Sequence, residues 1–390
     1  MTARTRHILA VSAAVAVIVV GLVLVVVWGR SDGGRASDEE VATTSTTTTT
    51  LPVWPLTGLP DRNAGVQPHP AISVKMDNSA DARPQSGLNE ADVVFELLVE
   101  GITRFALVFH SDLPDPVGPV RSARSSDPQM VHQLSRPLFA WSGGNAGVTA
   151  EIFAAARAGI LTDASYNAAS ASYFRSDQRS APHNLYVRLP QLLREQAPAG
   201  QGDPAPLFVY RPVQGPEASP TTTSSTPTTS IGVTTTTAPG SAAPIAGFTL
   251  RMDGTTSDWA WDEGLRGWRR FQVDGLHPRA ESATVDGTGR QVAPAIVVVM
   301  FIDYGTSPAD PRSPMAITVG SGPLLVFSEG SVVSGTWTRP EAERPAVLTD
   351  ATGREIRLTA GRTWVQYPRK GSELTLLDRS GADALLVHKR

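Results

Sequence analysis

AIVVVMFIDY, residues 295–304, is ten residues of almost unbroken apolar side chain, rich in β-branched types. A strand with one wet face alternates apolar and polar residues; a run without that alternation predicts a strand buried on both faces. Such a strand needs cover on either side, so it implies a layered fold. Around it the alternating pattern of ordinary strands takes over. FTLRM (248–252), Trp259 and Trp261 running toward the turn Glu263-Gly264, and WRRFQV (268–273) precede it. ITVG, PLLVFSEG, SVVSGTWTR, EIRLTAGRTWVQYP and LTLLDRSGADALLVHK follow, and predict hairpins to the C-terminus.

Further toward the N-terminus, AISVKM (71–76), ADVVFELLVE (91–100) and TRFALVFH (103–110) predict three strands, the last two joined as a hairpin at Gly101. A short helix is expected near Pro128–Leu134 and a strand at LFAW (138–141). The Ala-rich TAEIFAAARAG predicts a helix starting at Thr149 or Ala150 and ending at Gly159. The class is α+β and β-rich, with layered β-sheets and helices.

Two stretches stand outside this pattern. Residues 41–52, VATTSTTTTTLP, and residues 214–244, a Thr/Ser/Pro tract, hold almost nothing that could enter a core and predict disorder. Their composition suits flexible spacers and O-glycosylation alike. Ile8 to Trp28 is an apolar run without a charge, long enough at about 1.5 Å per residue to span roughly 30 Å of hydrocarbon. Arg4, Arg6 and His7 precede it, which places residues 1–7 in the cytoplasm. A cleaved signal peptide would have a shorter apolar run ending in a small-x-small site, whereas this one ends in VVVWGR. The expected organisation is therefore a cytoplasmic tail (1–7), a transmembrane anchor (8–28), a Thr-rich stalk (29–52), an N-terminal region (53–213), the disordered insert (214–244) and a β-rich C-terminal region (245–390). The folded part is expected outside the cell membrane, held by this single-pass anchor.

The 390-residue chain has no cysteine, which excludes disulfides, thiolate catalysis, zinc–thiolate sites and a cysteine-linked lipid. Its formal net charge of -3 provides no field for nucleic acid, so no nucleic-acid partner is expected. Six of the eight tryptophans, all but Trp28 and Trp54, fall where a core is predicted. The sequence contains no G-x-S-x-G, no S-x-x-K with a downstream K-T-G, no H-E-x-x-H and no phosphate-cradling glycine loop. Its seven histidines stand singly. No metal and no cofactor is therefore expected.

Unusual polar residues gather in four pieces of the first folded region. In KMDNSADARPQSGLNEADVVFE (75–96), Asp77, Asn78, Arg83, Gln85, Asn89 and Glu90 form a polar loop between apolar strands, as function or as turn chemistry. In residues 102–128, Arg104, Arg121 and Arg124 accompany Ser122, Ser125, Ser126 and Asp127. Guanidinium forks there would clamp a carboxylate or phosphate, or else pair structurally with Asp92, Glu96 or Glu100. WSGGNAG (141–147) sets Gly143, Gly144 and Asn145 between a strand and a helix, an anion-binding turn or an ordinary one. SYFRSDQRSAPHNLYV (172–187) adds Arg175, Arg179, His183 and Asn184, with His183 as acid–base or as loop support.

PLTGLP (55–60), RPQSGLNEADVVFE (83–96), the VGPVRSAR run (117–124) and APHNLY (181–186) make the chain resemble the YerB-like family of bacterial envelope proteins. WDEGLRGWRRFQVDG (261–275), SGTWTRP (334–340) and GRTWVQYP (361–368) look like that family's C-terminal region. The resemblance implies packed β-sheet layers with helices and two halves that associate. It brings no catalytic residues, and it departs from the family's many cysteine-tethered lipoproteins. The expected function is a binding or scaffolding module of the envelope with an anionic ligand. An envelope-polymer hydrolase would use His183 with Glu96, Glu100 or Asp127 as its carboxylate partner. An assembly protein would instead present strands and tryptophans to an envelope protein partner.

Overall fold

The computed structural model describes residues 52–61, 67–212, 242–274 and 277–388, and the expected tail, anchor, most of the stalk and most of the insert lie outside these. Among the described residues no helix is long and apolar enough to cross a membrane.

The strands are β1 (Ile72–Met76), β2 (Val93–Leu98), β3 (Thr103–Phe109), β4 (Leu138–Ala140), β5 (Thr162–Asp163), β6 (Tyr173–Arg175), β7 (Leu185–Val187), β8 (Ala243–Pro244), β9 (Gly247–Met252) and β10 (Thr255–Asp262). They continue as β11 (Gly267–Asp274), β12 (His277–Ala283), β13 (Ile296–Met300), β14 (Asp303–Thr306), β15 (Pro314–Ile317), β16 (Gly320–Ser328), β17 (Ser331–Arg339), β18 (Val347–Asp350), β19 (Thr363–Tyr367) and β20 (Leu374–Leu377). The helices are α1 (Asp127–Val131), α2 (Ala146–Arg157), α3 (Leu189–Gln196) and α4 (Arg379–His388).

The large sheet runs β18-β17-β16-β13-β19-β2-β3-β1-β4-β5, with β8 paired to β17. The strands of the C-terminal half form one side of it and those of the N-terminal half the other, and they meet at its centre, where β19 lies parallel to both β13 and β2. The two halves therefore share one sheet. Every residue of β13 is buried, as its unbroken apolar run requires. A second sheet, β12-β11-β10-β9-β20, packs on one face, where Phe248, Trp259 and Trp268 meet Phe105, Phe327 and Trp364. On the opposite face, α1, the 3-10 turn His132–Leu134 that follows it and α2 bring Met130, Val131, Leu134, Val148 and Ile152 onto Phe95, Val108, Phe139 and Val298. Helix α4 covers the small sheet through Ala382.

Four sequence expectations change. The run 295–304 is two strands: after Met300 the Phe301 N–H turns to the Pro323 carbonyl, and the Phe301 carbonyl accepts from Trp337 Nε1 at 3.0 Å, which ends β13 and frees β14. The Ala-rich helix begins at Ala146, three residues before Thr149, because Asn145 Oδ1 accepts from the Val148 N–H at 2.8 Å and caps it. The C-terminal segment is strand β20 followed by a helix, not a hairpin. The last residues of the expected insert, Ala243 and Pro244, pair with Val332 and Ser331.

Candidate functional site

Polar groups collect at the end of the large sheet where β1 and β4 finish and antiparallel β3 begins. Strand alternation sends Lys75, Asp77 and Arg104 to the helix-covered face, the face of Ala106 and Val108. The arginine-rich loop and the Gly-Gly-Asn loop run beside each other across this end. The Ser142 N–H donates to the Arg121 carbonyl at 3.0 Å, and the Ala123 N–H donates to the Gly143 carbonyl at 3.2 Å.

Most of the charges are engaged. Lys75 Nζ donates to Asp127 Oδ1 at 2.6 Å with both side chains fully buried. Burial pushes the Lys75 ammonium below the ordinary lysine range, against the pull of Asp127. The other oxygen of Asp127 accepts from the Arg124 N–H at 2.7 Å, so this buried pair fixes the loop that presents Arg124. Arg124 forks onto Glu100, with Nε and Nη2 each 2.9 Å from a carboxylate oxygen. Burial pushes the Glu100 carboxyl up, but these bonds outweigh it and hold it at about 2. Arg121 Nε donates to Asp77 Oδ2 at 2.8 Å.

Arg104 is different. It is 6% exposed, and its Nε and Nη1 are sealed from solvent without a hydrogen-bond partner. Burial, reinforced by Arg124 and Arg121, pushes its guanidinium down to about 10, against the pull of Asp77 and Glu100. Counting the local charges, four cations (Lys75, Arg104, Arg121, Arg124) face three carboxylates (Asp77, Glu100, Asp127), leaving one positive charge in excess. Next to this cluster lies a cavity of about 330 Å³ lined by Glu100, Ser122, Arg124, Gly144, Asn145, Val148, Asp310 and Ser313. Its wall includes the N-terminal turn of α2, whose N–H groups favour an anion. Asp310 and Ser313 had no sequence signal that tied them to this region.

His183 joins through Asp77, correcting the expectation that its partner would be Glu96, Glu100 or Asp127. His183 Nδ1 is 2.7 Å from Asp77 Oδ2 and 3.1 Å from Ser79 Oγ. Burial raises the Asp77 carboxyl, but Arg121, the Ser79 N–H, Arg104 and His183 together hold it below the usual carboxylate range. An ionised Asp77 places the proton on Nδ1. A Ser–His–Asp relay needs its serine and carboxylate on opposite ring nitrogens. Here both meet Nδ1, so Ser79 is not an activated nucleophile. Glu96 sits on the other face of the sheet, fully buried, taking Arg270 Nη2 and Thr103 Oγ1 at 2.8 Å and Trp364 Nε1 at 2.8 Å. Arg175 and Asn184 are not part of the cluster: Arg175 Nη1 donates to Asn184 Oδ1 at 2.8 Å across the β6–β7 pair. Among the described residues, no group of three or more His, Asp or Glu could hold a metal ion.

A family described as "Protein of unknown function (DUF3048)" matches this chain twice, through its N-terminal domain at residues 56–201 and its C-terminal domain at residues 248–365. "Putative lipoprotein YerB" of Bacillus subtilis (strain 168) is 25% identical over 321 residues, which cover 80% of this chain and 84% of the relative. The crystal structure of the YerB protein from Bacillus subtilis shares the fold with a TM-score of 0.63 at 21% identity, over 83% of this chain and 99% of that one.

Proposed function

From the premise that this chain belongs to the DUF3048 family, both of whose domains it carries, we propose that it is a non-enzymatic binding or scaffolding module of the cell envelope. Its ligand is a small anionic group, phosphate or carboxylate, taken at the Arg104 cluster. The observation that carries this reading is Arg104 itself, a buried guanidinium with two sealed, unpartnered nitrogens in a cluster one positive charge in excess. A buried charge is ordinarily paired, so the excess positive charge of the cluster, which reaches the adjoining cavity through Arg124 rather than Arg104 itself, favours an anion from outside. The cavity wall of Ser122, Arg124, Gly144 and Asn145 supplies hydroxyl, guanidinium and helix-terminal donors. The lipoprotein name of the Bacillus subtilis relative supports an envelope location. The apolar run 8–28 would be the means of attachment in this chain, whose sequence contains no cysteine to carry a lipid.

A hydrolase has less support, since His183 Nδ1 is committed to Asp77 and no nucleophile stands on its other nitrogen among the described residues. Titration calorimetry of the chain with inorganic phosphate and with acetate tests the proposal. One saturable site is expected, weakened ~10- to 100-fold by Arg104→Met, the scale of one charge-assisted hydrogen bond. Equal affinity in the variant refutes it.

A further inference from the structure

A second cavity, larger than the one beside the arginine cluster, lies elsewhere. It is a cleft of about 670 Å³ between the two sheets, within the range of small-ligand sites. Four separated stretches build most of it, Leu88 to Val94, Trp261 to Arg269, Arg290 to Ala295, and Thr359 to Trp364, with Leu59 and Glu329 added singly. Its floor is apolar, formed by Leu88, Ala91, Val94, Val292, Trp261 and Trp364, each no more than 6% exposed. Four arginines line it, and they are not equivalent.

Arg266 is 3.3 Å from Glu329, Arg269 is 2.6 Å from Asp262, and Arg290 is paired with Glu90. Arg362 is the most loosely paired: its ion pair with exposed Asp112 is 3.7 Å long, beyond hydrogen-bond reach, and it also acts through space on buried Asp92. Its Nε is sealed without a partner, as is the hydroxyl of Thr359 on the same wall. The lining contains no histidine, and its one carboxylate, Glu329, is held by Arg211 at 2.7 Å as well as by Arg266. The cleft is therefore equipped to bind, with no free acid or base for chemistry.

We propose that this cleft is a second ligand site, for a small acidic amphiphile whose alkyl chain lies on the tryptophan-bearing floor and whose single carboxylate meets Arg362. An alkyl chain matches the floor, and a monoanion matches the one lining guanidinium whose ion pair is too long for a hydrogen bond. A more highly charged ligand would have to compete with the carboxylates already holding the other three arginines.

The test titrates the full chain with decanoate below its micelle concentration and follows tryptophan fluorescence from the floor. In Arg104→Met, which weakens the carboxylate site of the anion cluster, decanoate should still saturate one site. Decanol and acetate should each bind at least ~10-fold more weakly, since each lacks one of the two matched features. Arg362→Gln should weaken decanoate ~10-fold or more while Arg362→Lys keeps part of the affinity. Ala360→Phe, which fills the cleft, should abolish the response. Arg104→Met should leave it unchanged, which separates this site from the anion cluster. No saturable response to decanoate overturns the proposal, as does equal affinity in Arg362→Gln or loss of decanoate binding in Arg104→Met.

Discussion

Arg104→Met should make the ligand-free protein more stable. In the folded chain burial and the neighbouring arginines lower this guanidinium from 12.5 to about 10. At roughly 1.4 kcal/mol for each pH unit, holding the charge there costs about 3 kcal/mol. The sign follows from the direction: a cation whose folded value is lowered weakens the fold at every pH below about 10, and the cost fades only as pH rises from there toward 12.5. At pH 7 all of it is present. Methionine fills a similar volume without charge or donors, so the variant recovers most of this cost, about 2–3 kcal/mol. In phosphate-free buffer at pH 7, urea unfolding followed by tryptophan fluorescence should show the midpoint rising by ~1 M. Phosphate at 100 times the wild-type Kd should then stabilise the wild type by about 2.7 kcal/mol and the variant, whose Kd is ~10- to 100-fold higher, by only about 0.4–1.4 kcal/mol. A ligand-free Arg104→Met that unfolds at lower urea than wild type would refute the reasoning, since it would mean that the guanidinium is satisfied within the fold.

Glu96→Gln should destabilise by about 3–5 kcal/mol in the same urea experiment, because it removes the counter-ion of buried Arg270 and turns an amide against the donors that Glu96 now accepts. Acid should loosen the protein from about pH 4.5 downward. Glu100 lies at about 2 when folded, so its contribution is present above its unfolded value and is lost as pH falls through that window; Glu100→Gln should flatten the acid limb of a stability-versus-pH curve. Asp77→Asn should release both His183 and Arg121, costing about 2–3 kcal/mol, and nitrogen NMR should show His183 losing its fixed Nδ1–H tautomer. Gly118→Ala should destabilise measurably by thermal melt, since its Cβ would stand 2.6 Å from the Tyr186 ring and 2.9 Å from the Leu185 carbonyl.

Strands were the legible part of the fold, because each one's own side chains state which faces are buried. Val93–Leu98 and Thr103–Phe109, apart from Glu96, Thr103 and Arg104, and all of Ile296–Met300 are apolar where the sheet is covered on both sides. Ends were less legible where a distant group sets them. The stop after Met300 depends on Pro323 and Trp337, and the start of α2 depends on Asn145 being free to cap, which residue types at 146–148 do not announce. The C-terminal helix was missed because LTLLDRSGADALLVHK alternates well enough to resemble strands, while packing of Ala382 on the small sheet decides otherwise.

Partnership among charged groups was the least legible feature, and the register explains why. Glu96 stands opposite Phe105, and one step along the same pair Leu97 stands opposite Arg104. One step reverses the face, so an acid and a base close in the hairpin never meet. Glu96 turns into the layer between the sheets and finds Arg270, which is 174 residues away in sequence. Arg104 turns to the helix-covered face, where Asp77 is already held by Arg121 and His183, and Glu100 by Arg124. Sequence pattern located both residues on strands beside apolar neighbours, yet it treated all the arginines of that region as one clamp. Only after the competition for three carboxylates is resolved in space does the unpaired cation become identifiable, and the anion site proposed here rests on that cation rather than on the number of arginines.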